Sequence, residues 1–565
     1  MDRFWTKSYP PGMPHAINVT KYAHIADAMN QACDRYPESP AFTSFNAHMT
    51  YAELKQQAYT LAAAWQGLGL KPGERIAVML PNCLQYPVAL HAAFLAGLVV
   101  VNVNPMYKKD ELLHQLKDAD VSAVVVLDIF MAQLLRALPG LSIRMVFSTK
   151  LGDNIGGVRG SVISYLSAFQ RRGKRSFPSH WSGKLLDWPM LLKLGKKNTL
   201  KPVPVGLDDL AFLQYTSATT GLAKGAMLTH RNILANMTQA KAWVKRVLEP
   251  GKEVLLLTLP MYHIFSLTVT CFCMTLGARS VLVADARRIN RLTRLLQKES
   301  VTLFMGINTL FNALLADPGF QYANFSQLKL VIAGGMSTQQ SVANRWKRVT
   351  GFDITEGYGL TEASPIVAIN PVPIKRFKGS VGLPLPNTDL KIIDSRGITL
   401  PQGKEGEVCV RGPQITKGYW NNPEETKKVI DKDGWLHTGD IGRMDEQGFL
   451  YLVERKKDMI LVSGFNVYPT EIEEVLVAHP SVSEAAVIGA EDGQGLEKVV
   501  AFIVLNPEKK FSGEEAIDHC RKHLAGYKVP KEVHVRQSLP KSNVGKILRR
   551  RLRDGLAVDN KKTHE

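Results

Sequence analysis

Short apolar runs alternate with helix-like segments through most of the chain. Residues 211–215, 281–283 and 330–333 are such runs, and each has the length of a buried strand. Strands that alternate with helices in this way form layers in which the strands run parallel. The pattern therefore predicts an α/β fold for the larger part of the chain.

The pattern changes after about residue 455. Thr470 and Glu473 have the spacing of a capping box, which predicts a helix that starts near Thr470. Two strand-like runs and another helix follow, at residues 485–488, 499–505 and 513–524. We therefore predict a large N-terminal domain of layered α/β subdomains, residues 1–455, and a small α+β C-terminal domain, residues 456–565.

The longest apolar run, residues 264–278, is interrupted by several serine and threonine residues. It is shorter than the roughly 18 residues that a membrane-spanning helix needs. It therefore predicts a buried helix, and no apolar signal region follows the first residues of the chain.

Composition adds that the protein is strongly basic. The 565 residues carry a net charge of +19, and 45% of them are hydrophobic, which is typical of a folded enzyme with several domains. The charge favours a polyanionic partner: nucleic acid, an anionic membrane surface or a phosphorylated substrate. No helix-turn-helix, zinc or RNA-platform motif is found, so we expect no nucleic-acid partner. The six cysteines are scattered and lack metal-ligand spacing.

Residues 161–200, called the basic segment below, concentrate this charge. Bulky apolar residues, among them Trp181, Trp188 and Met190, are interleaved with its lysines and arginines. Two interpretations stay open, an anionic lipid interface and a solvated surface insertion. Its basic residues are Arg171, Arg172, Lys174, Arg175, Lys184, Lys193, Lys196 and Lys197.

A loop rich in small and hydroxyl residues, 216–225, follows the run at 211–215. A helix with a cap near Thr229 is predicted after it. Backbone N–H groups, hydroxyls and the Lys224 ammonium in such a loop can surround phosphate oxygens. It is not a Walker A loop, and taken alone it could also be an ordinary turn.

Further motifs extend this signal along the chain. The loop resembles the phosphate loop of the adenylate-forming (AMP-binding) superfamily, and other motifs of that superfamily follow it in order. They are residues 260–263, 334–335, 356–362, 434–440, 455–458, 464–469 and 540–548. The resemblance covers about residues 20–553 and is strongest to bacterial long-chain fatty acid–CoA ligases.

The resemblance implies a fold like that of acyl-CoA synthetases, whose small domain is mobile and turns at a hinge, here at about residues 455–457. It implies ATP-dependent ligation of a long-chain fatty acid to coenzyme A through acyl-AMP, with release of AMP and pyrophosphate. ATP, Mg²⁺ and coenzyme A are the expected ligands. Because the first step gathers negative charges, its stabilisation must be electrostatic.

The resemblance also assigns roles to residues. Thr361 would contact the α-phosphate, Glu362 would bind Mg²⁺, and Lys546 would bridge the carboxylate and phosphate oxygens. His263 would line the acyl and pantetheine channel, Lys457 would be the hinge, and Gly464 would let pantetheine pass. Nucleotide binding falls to Tyr215, Thr216, Ser217, Ala218, Thr219, Thr220, Gly221 and Lys224 for the phosphates, to Gly334, Gly335, Glu356, Gly357 and Tyr358 for adenine, and to Asp440 with Arg455 for ribose.

Without the resemblance, these residues have simpler interpretations. Asp440 would cap a turn, Tyr358 would be a core aromatic, and Glu362 and Lys546 would be surface charges. Two departures from the superfamily pattern also bear on the site: Ala218 stands where a glycine is usual, and Leu267 stands where some relatives have an aromatic gate. We expect a negative φ at Ala218, because strain there would impair an otherwise intact site.

Two other functions compete with CoA ligation. The acyl-adenylate could be transferred to a carrier protein, or the chain could be a catalytically silent lipid-binding protein at a membrane. The charge and the scattered cysteines predict a cytoplasmic protein, bound peripherally to the anionic inner face of the cell membrane.

Overall fold

The structure is a computed structural model that describes residues 3–19, 21–168, 177, 181–216, 223–374, 379–462, 465–491, 497–542 and 545–562. Strands β1 to β9 are Pro40–Ser44, Ala47–Thr50, Arg75–Met79, Val99–Asn102, Val121–Leu127, Met145–Thr149, Lys184–Asp187, Leu210–Tyr215 and Gly225–Thr229. Strands β10 to β20 are Val254–Leu257, Arg279–Leu282, Leu303–Gly306, Leu330–Ala333, Thr355–Gly359, Ile366–Ile369, Leu383–Pro384, Asp389–Ile393, Gly406–Arg411, Leu436–Met444 and Leu450–Arg455. Strands β21 to β25 are Ile460–Val462, Phe465–Val467, Val482–Glu491, Glu497–Leu505 and Glu532–Val535.

Helices cover the sheets. Helices α1 to α8 are Ile25–Arg35, Tyr51–Gly67, Gln85–Leu95, Lys109–Asp118, Met131–Ala137, Gly157–Ala168, Trp188–Gly195 and His230–Val244. Helices α9 to α16 are Ile264–Thr275, Ile289–Lys298, Asn308–Ala316, Gln340–Thr350, Pro423–Val429, Pro469–Ala478, Gly513–His523 and Arg549–Lys562.

Two large, mostly parallel sheets form the body of the N-terminal domain. One has the order β16-β15-β14-β13-β12-β10-β11-β1-β2, and the other has the order β7-β6-β5-β3-β4-β8-β9. The central strands of both sheets are buried, which explains why they are continuous apolar runs in the sequence. The predicted α/β fold is confirmed. The run at 264–278 forms the buried helix α9, also as predicted.

The basic segment does not have one uniform environment. β7 extends the edge of the seven-stranded sheet, and α7 packs against α2. Trp188 and Leu191 are 0% exposed, so these two apolar residues belong to the core and cannot face lipid. The arginine and lysine residues at 171–175 lie outside the described residues.

A small domain follows β20, with one sheet of β21 and β22 and another of β23, β24 and β25. The helix predicted near Thr470 exists as α14, but it begins at Pro469 and its cap residue is Tyr468. The predicted capping box is therefore wrong. Thr470 instead donates to Glu454 from both its N–H and its hydroxyl, and Glu473 binds Arg549.

No helix in the described part of the chain is long and apolar enough to span a bilayer.

Candidate active site

A cleft of about 210 Å³ lies where β14, α11 and the β19–β20 pair meet the small domain. The cleft is lined from both sides, because Ala485, Lys546 and Arg549 come from the small domain. Seven of the residues predicted for the site line it: Gly335, Glu356, Gly357, Tyr358, Asp440, Arg455 and Lys546. The structure thus brings together residues from five of the sequence motifs, from Gly335 to Lys546.

β14 supplies one wall of the cleft. Glu356 is buried, and its carboxylate accepts a hydrogen bond of 2.8 Å from the Thr338 N–H. Burial raises the pKa of Glu356 to about 8, which favours the neutral carboxyl group at pH 7. Gly335 lies at the end of β13 with a φ of 82°, a conformation that favours glycine and keeps the backbone open to the cleft.

Asp440 is the centre of a buried hydrogen-bonded cluster. The hydroxyl of Tyr358 donates to its Oδ2 over 2.6 Å, and Nε of Arg455 forms an ion pair with its Oδ1 at 2.8 Å. The antiparallel register of β19 and β20 places Asp440 directly opposite Arg455, which explains why these distant motif residues meet. Burial and the Asp440 charge raise the pKa of Tyr358, so it remains a hydrogen-bond donor. Each carboxylate oxygen can still accept a second hydrogen bond.

Lys546 reaches the cleft on a tight loop of the small domain. Lys541 and Ile547 form a bridge across this loop, and the Ser542 N–H donates to the Lys546 carbonyl over 2.7 Å. Gly545 has a φ of 84°, and its carbonyl accepts a bond of 3.3 Å from the Thr309 hydroxyl at the start of α11. A Cβ at Gly545 would lie 2.8 Å from Ile307, so the close docking requires glycine.

The Lys546 side chain is accessible to solvent within the cleft, but protein atoms surround it on most sides. This burial and the neighbouring Arg455 guanidinium lower the pKa of Lys546 to about 8. A charged ammonium there has no hydrogen-bonded carboxylate among the residues that the structure describes. It is therefore ready to bind an anion.

His263 precedes α9 and caps it, because its Nδ1 accepts a long hydrogen bond of 3.4 Å from the Phe265 N–H. Burial and the positive charge of Lys546 lower its pKa to about 4, so the ring is neutral at pH 7. Gly334 lies beside the same helix, since a Cβ there would approach the Phe265 ring to 3.2 Å. Among the residues that the structure describes, Lys546 is the one charge that affects the pKa of His263.

Glu362 and Lys224 form a second centre, joined by Tyr419. The Tyr419 hydroxyl donates to Glu362 Oε1 over 2.6 Å, and Lys224 Nζ lies 5.3 Å from the centre of the Tyr419 ring. Lys224 also forms an ion pair with Glu425 on α13. This bond and that of Lys428 lower the pKa of Glu425 to about 2. Thr361 begins the short 3₁₀ turn that carries Glu362.

The phosphate loop joins two antiparallel strands. The Thr216 N–H donates to the Lys224 carbonyl over 2.9 Å, which closes the base of the loop. β9 follows the loop and was not predicted, but the cap at Thr229 is confirmed and includes a capping box with Asn232. The Tyr215 hydroxyl bonds to Asp118 over 2.5 Å, and Tyr215 does not line the cleft. Ser217, Ala218, Thr219, Thr220, Gly221 and Gly464 lie outside the described residues.

An ionic network joins the two domains beside the cleft. Arg549 of the small domain lies 3.1 Å from Glu454 on β20, 3.5 Å from Asp458 and 2.9 Å from Glu473. Arg553 also binds Asp458 over 2.8 Å. Lys457 lies in the turn between the domains, where burial and Arg455 lower its pKa to about 8.

Sequence reasoning missed Tyr419, Glu425, Glu454 and Arg549. Tyr419 and Glu425 act through partners 57 and 201 residues away, and no local pattern reveals such pairs. Glu454 carried a usable signal in the sequence, since it is an acid that follows the apolar run 450–453 and immediately precedes the predicted motif residue Arg455.

Comparisons with known proteins agree with this geometry. The AMP-binding enzyme family matches residues 29–420, and the AMP-binding enzyme C-terminal domain matches residues 471–546. The long-chain-fatty-acid–CoA ligase of Escherichia coli O6:H1 is 46% identical over 566 residues, which cover 99% of this chain and 100% of that protein. The long-chain-fatty-acid–CoA ligase of Bacillus subtilis is 36% identical over 551 residues, 97% of each chain.

Solved structures add a comparison of the overall fold. ATP-bound MatB from Rhodopseudomonas palustris is 27% identical and has a TM-score of 0.80. The apo form of MatB, with the same identity, has a TM-score of 0.70. Both matches cover 94% of this chain and 98% of the other. The structure is thus more similar to the ATP-bound form. Taken together, the matched domains and the full-length relatives show that this chain belongs to the AMP-binding enzyme family.

Proposed function

We propose that this protein ligates long-chain fatty acids to coenzyme A in an ATP-dependent reaction that proceeds through acyl-AMP. One observation carries the proposal: Lys546 of the small domain lines the same cleft as Asp440, Arg455 and Tyr358 of the large domain. The curated relatives at 46% identity are named for this activity.

In the first half-reaction, a carboxylate oxygen of the fatty acid attacks the α-phosphorus of ATP. The bond from that phosphorus to the bridging oxygen breaks, and pyrophosphate leaves. Lys546 would neutralise the carboxylate and the α-phosphate together, because a compact ammonium on a long stem can contact both. Asp440 would accept hydrogen bonds from the ribose hydroxyls, while Arg455 and Tyr358 hold its carboxylate in place.

The base and phosphates of ATP would occupy the adjoining surfaces. The backbone at Gly335 and the 356–358 stretch of β14 would form the adenine slot, and Thr361 would contact the α-phosphate. Lys224 and the loop 216–221 would bind the β- and γ-phosphates. To do so, the Lys224 ammonium would leave its ion pair with Glu425 and contact the phosphate oxygens instead. His263, neutral and next to apolar α9, would line the acyl and pantetheine channel without transferring a proton.

Mg²⁺ is part of the proposal, and Glu362 suits it. Tyr419 occupies Oε1 of this carboxylate, and Oε2 has no hydrogen-bond partner among the described residues. Mg²⁺ prefers hard oxygen ligands and keeps several waters, so one carboxylate with substrate phosphates suffices. When bound, the ion would offset the charge of the phosphates.

In the second half-reaction, the thiolate of coenzyme A attacks the acyl carbon and AMP leaves. We propose that residues 1–455 and 456–565 then change their relative orientation about residues 455–457, with Lys457 as the hinge. This rotation would withdraw Lys546 and bring the segment around Gly464 to the cleft. The ionic network on Arg549 would hold the first orientation, in keeping with the similarity to ATP-bound MatB.

The net charge also supports peripheral binding to the anionic inner face of the cell membrane, from which a long-chain fatty acid would be drawn. We propose this location for a cytoplasmic enzyme.

Separate half-reactions test the proposal. Lys546→Ala should abolish formation of acyl-AMP from fatty acid and ATP, but it should largely preserve thioester formation from supplied acyl-AMP and coenzyme A. Equal loss in both half-reactions would contradict the role of Lys546. If the unaltered protein shows no fatty-acid-dependent ATP–pyrophosphate exchange, the proposed function is refuted. If exchange occurs but coenzyme A does not stimulate the release of AMP, the acyl group is transferred to a carrier protein instead.

A further inference from the structure

Helix α6 has its apolar residues on the outside. Its inner side is made of small and polar residues: Gly160 packs against Gly152, and the Ser164 hydroxyl accepts a bond of 3.2 Å from the Gly152 N–H. The outer side carries Val158, Val162, Tyr165 and Leu166, which are 82%, 49%, 66% and 59% exposed. These four positions share one helical face.

The inverted arrangement has a steric cause. A Cβ at Gly152 would lie 1.9 Å from the Gly160 carbonyl, so α6 can approach the body of the protein only through its small residues. The bulky residues consequently face away. An apolar face of this kind is unfavourable in water, and a contiguous exposed patch usually marks a binding surface.

The neighbouring surface is aromatic and basic. Arg159 of α6 donates to the Asn46 carbonyl over 3.1 Å, and Lys298 of α10 donates to the Asn46 side chain over 2.5 Å. Asn46 forms the β1–β2 turn with Phe45, which is 42% exposed. The hairpin tip therefore joins α6 and α10 into one surface.

Helix α10 extends the positive charge. Arg291, Arg294 and Lys298 recur along one side of the helix and are exposed. Within the described residues, neither these three nor Arg159 lies within ion-pair distance of a carboxylate, since Arg159 and Lys298 bond only to neutral oxygens. Their charge is therefore available to an anionic partner.

We propose that α6, the hairpin tip at Phe45 and the basic side of α10 form a single membrane-docking surface that binds anionic phospholipid. The apolar face of α6 inserts at the level of the acyl chains, and the α10 cations lie over the phosphates. This inference rests on the proposed function for its purpose, because a long-chain fatty acid partitions into bilayers. It also moves the docking surface away from α7 of the basic segment, whose Trp188 and Leu191 belong to the core.

Vesicle binding tests the surface. The full-length protein is mixed with phosphatidylcholine vesicles with or without phosphatidylglycerol, and bound protein is measured by flotation. We expect binding only with phosphatidylglycerol, and a partition coefficient lowered about tenfold or more when the four outer α6 residues are replaced. That variant is Val158→Ser, Val162→Ser, Tyr165→Ser, Leu166→Ser. The control replaces three exposed apolar residues elsewhere: Val349→Ser, Ile398→Ser, Val535→Ser.

The basic side of α10 has its own variant, Arg291→Gln, Arg294→Gln, Lys298→Gln. Each lost charge should weaken binding about fivefold at low salt, and the remaining binding should depend less on salt. The native cysteines are all buried, so a cysteine introduced as Val162→Cys can be labelled selectively with an environment-sensitive dye. Its emission should shift to the blue on phosphatidylglycerol vesicles, whereas the emission of the same dye at Ile398→Cys should not change.

Three results would overturn the proposal: no vesicle binding by the unaltered protein, unchanged binding by the α6 variant, or a dimer in solution that the α6 variant converts to a monomer. The last would show that a second copy of the chain covers α6. Ligation of a medium-chain, water-soluble acid, assayed without vesicles, tests the function apart from the docking surface. The α6 variant should retain this ligase activity. If the unaltered protein has no ligase activity, the proposed function is refuted. The vesicle experiments would then still show whether α6 and α10 bind anionic phospholipid.

Discussion

The lowered pKa of Lys546 predicts a pH dependence that belongs to the first half-reaction alone. Only the ammonium form can neutralise the carboxylate and phosphate oxygens, so activity must fall as pH rises through the lysine pKa. With a pKa of about 8, the protonated fraction falls from about nine-tenths at pH 7 to about one-tenth at pH 9. We therefore expect kcat/KM for adenylation to fall about tenfold over that interval.

The assay is fatty-acid-dependent ATP–pyrophosphate exchange at substrate concentrations below KM, because kcat/KM reports the free enzyme. Thioester formation from supplied acyl-AMP should not fall over the same range. Glu356 also has a pKa of about 8 and lines the same cleft, so a control must separate the two groups. Glu356→Gln should keep the fall, whereas Lys546→Arg, slower but charged throughout, should lose it.

An ordinary lysine, with a pKa near 10.4, would lose almost none of its charge by about pH 9. A flat adenylation profile between those limits would therefore refute the burial argument for Lys546. The same fall in Lys546→Arg would assign the titration to another group.

Three further predictions concern the surroundings of the cleft. Tyr419→Phe removes the hydroxyl that donates to Glu362. It should raise the Mg²⁺ concentration needed for half-maximal ATP binding about tenfold, as measured by calorimetry in a Mg²⁺ titration. An unchanged Mg²⁺ requirement would show that Tyr419 does not position Glu362. Ala218→Gly should change kcat/KM for ATP by less than about threefold, and a rise of about tenfold or more would show that alanine strains the phosphate loop. Arg549→Met leaves Glu454 and Glu473 without their cation and Asp458 with Arg553 alone, and it should lower the free energy of unfolding by about 3 kcal/mol. The more exposed Arg553→Met should cost less, and equal effects of the two substitutions in denaturant titrations would argue against the network.

The sequence predicted most of what depends on local pattern or on motif identity. The α/β layers, the buried helix α9 and the cap at Thr229 follow from apolar spacing and capping chemistry, which act within a few residues. Asp440 and Arg455 were paired by resemblance, and the register of β19 and β20 supplies the physical reason.

Long-range competition explains where prediction failed. Thr470 and Glu473 have the spacing of a capping box, but Glu454 and Arg549 bind their side chains more favourably from elsewhere in the fold. The spacing of apolar residues cannot predict that the apolar face of α6 is exposed. Spacing shows which residues share a face, but it does not show whether that face is packed against the protein or exposed to solvent. Only the contact between Gly152 and Gly160 reveals which side is inside.

Because the cleft is lined by both domains, it exists as a complete binding site only while they hold this orientation. If the orientation were populated one-tenth of the time without ligand, the measured dissociation constant for ATP would be about ten times that of the assembled cleft. Substitutions at Glu454 or Thr309, which contact the small domain, would then weaken ATP binding by loosening this orientation. A screen for variants with reduced nucleotide affinity would thus find residues that stabilise the contact between the domains as well as residues that would bind the nucleotide.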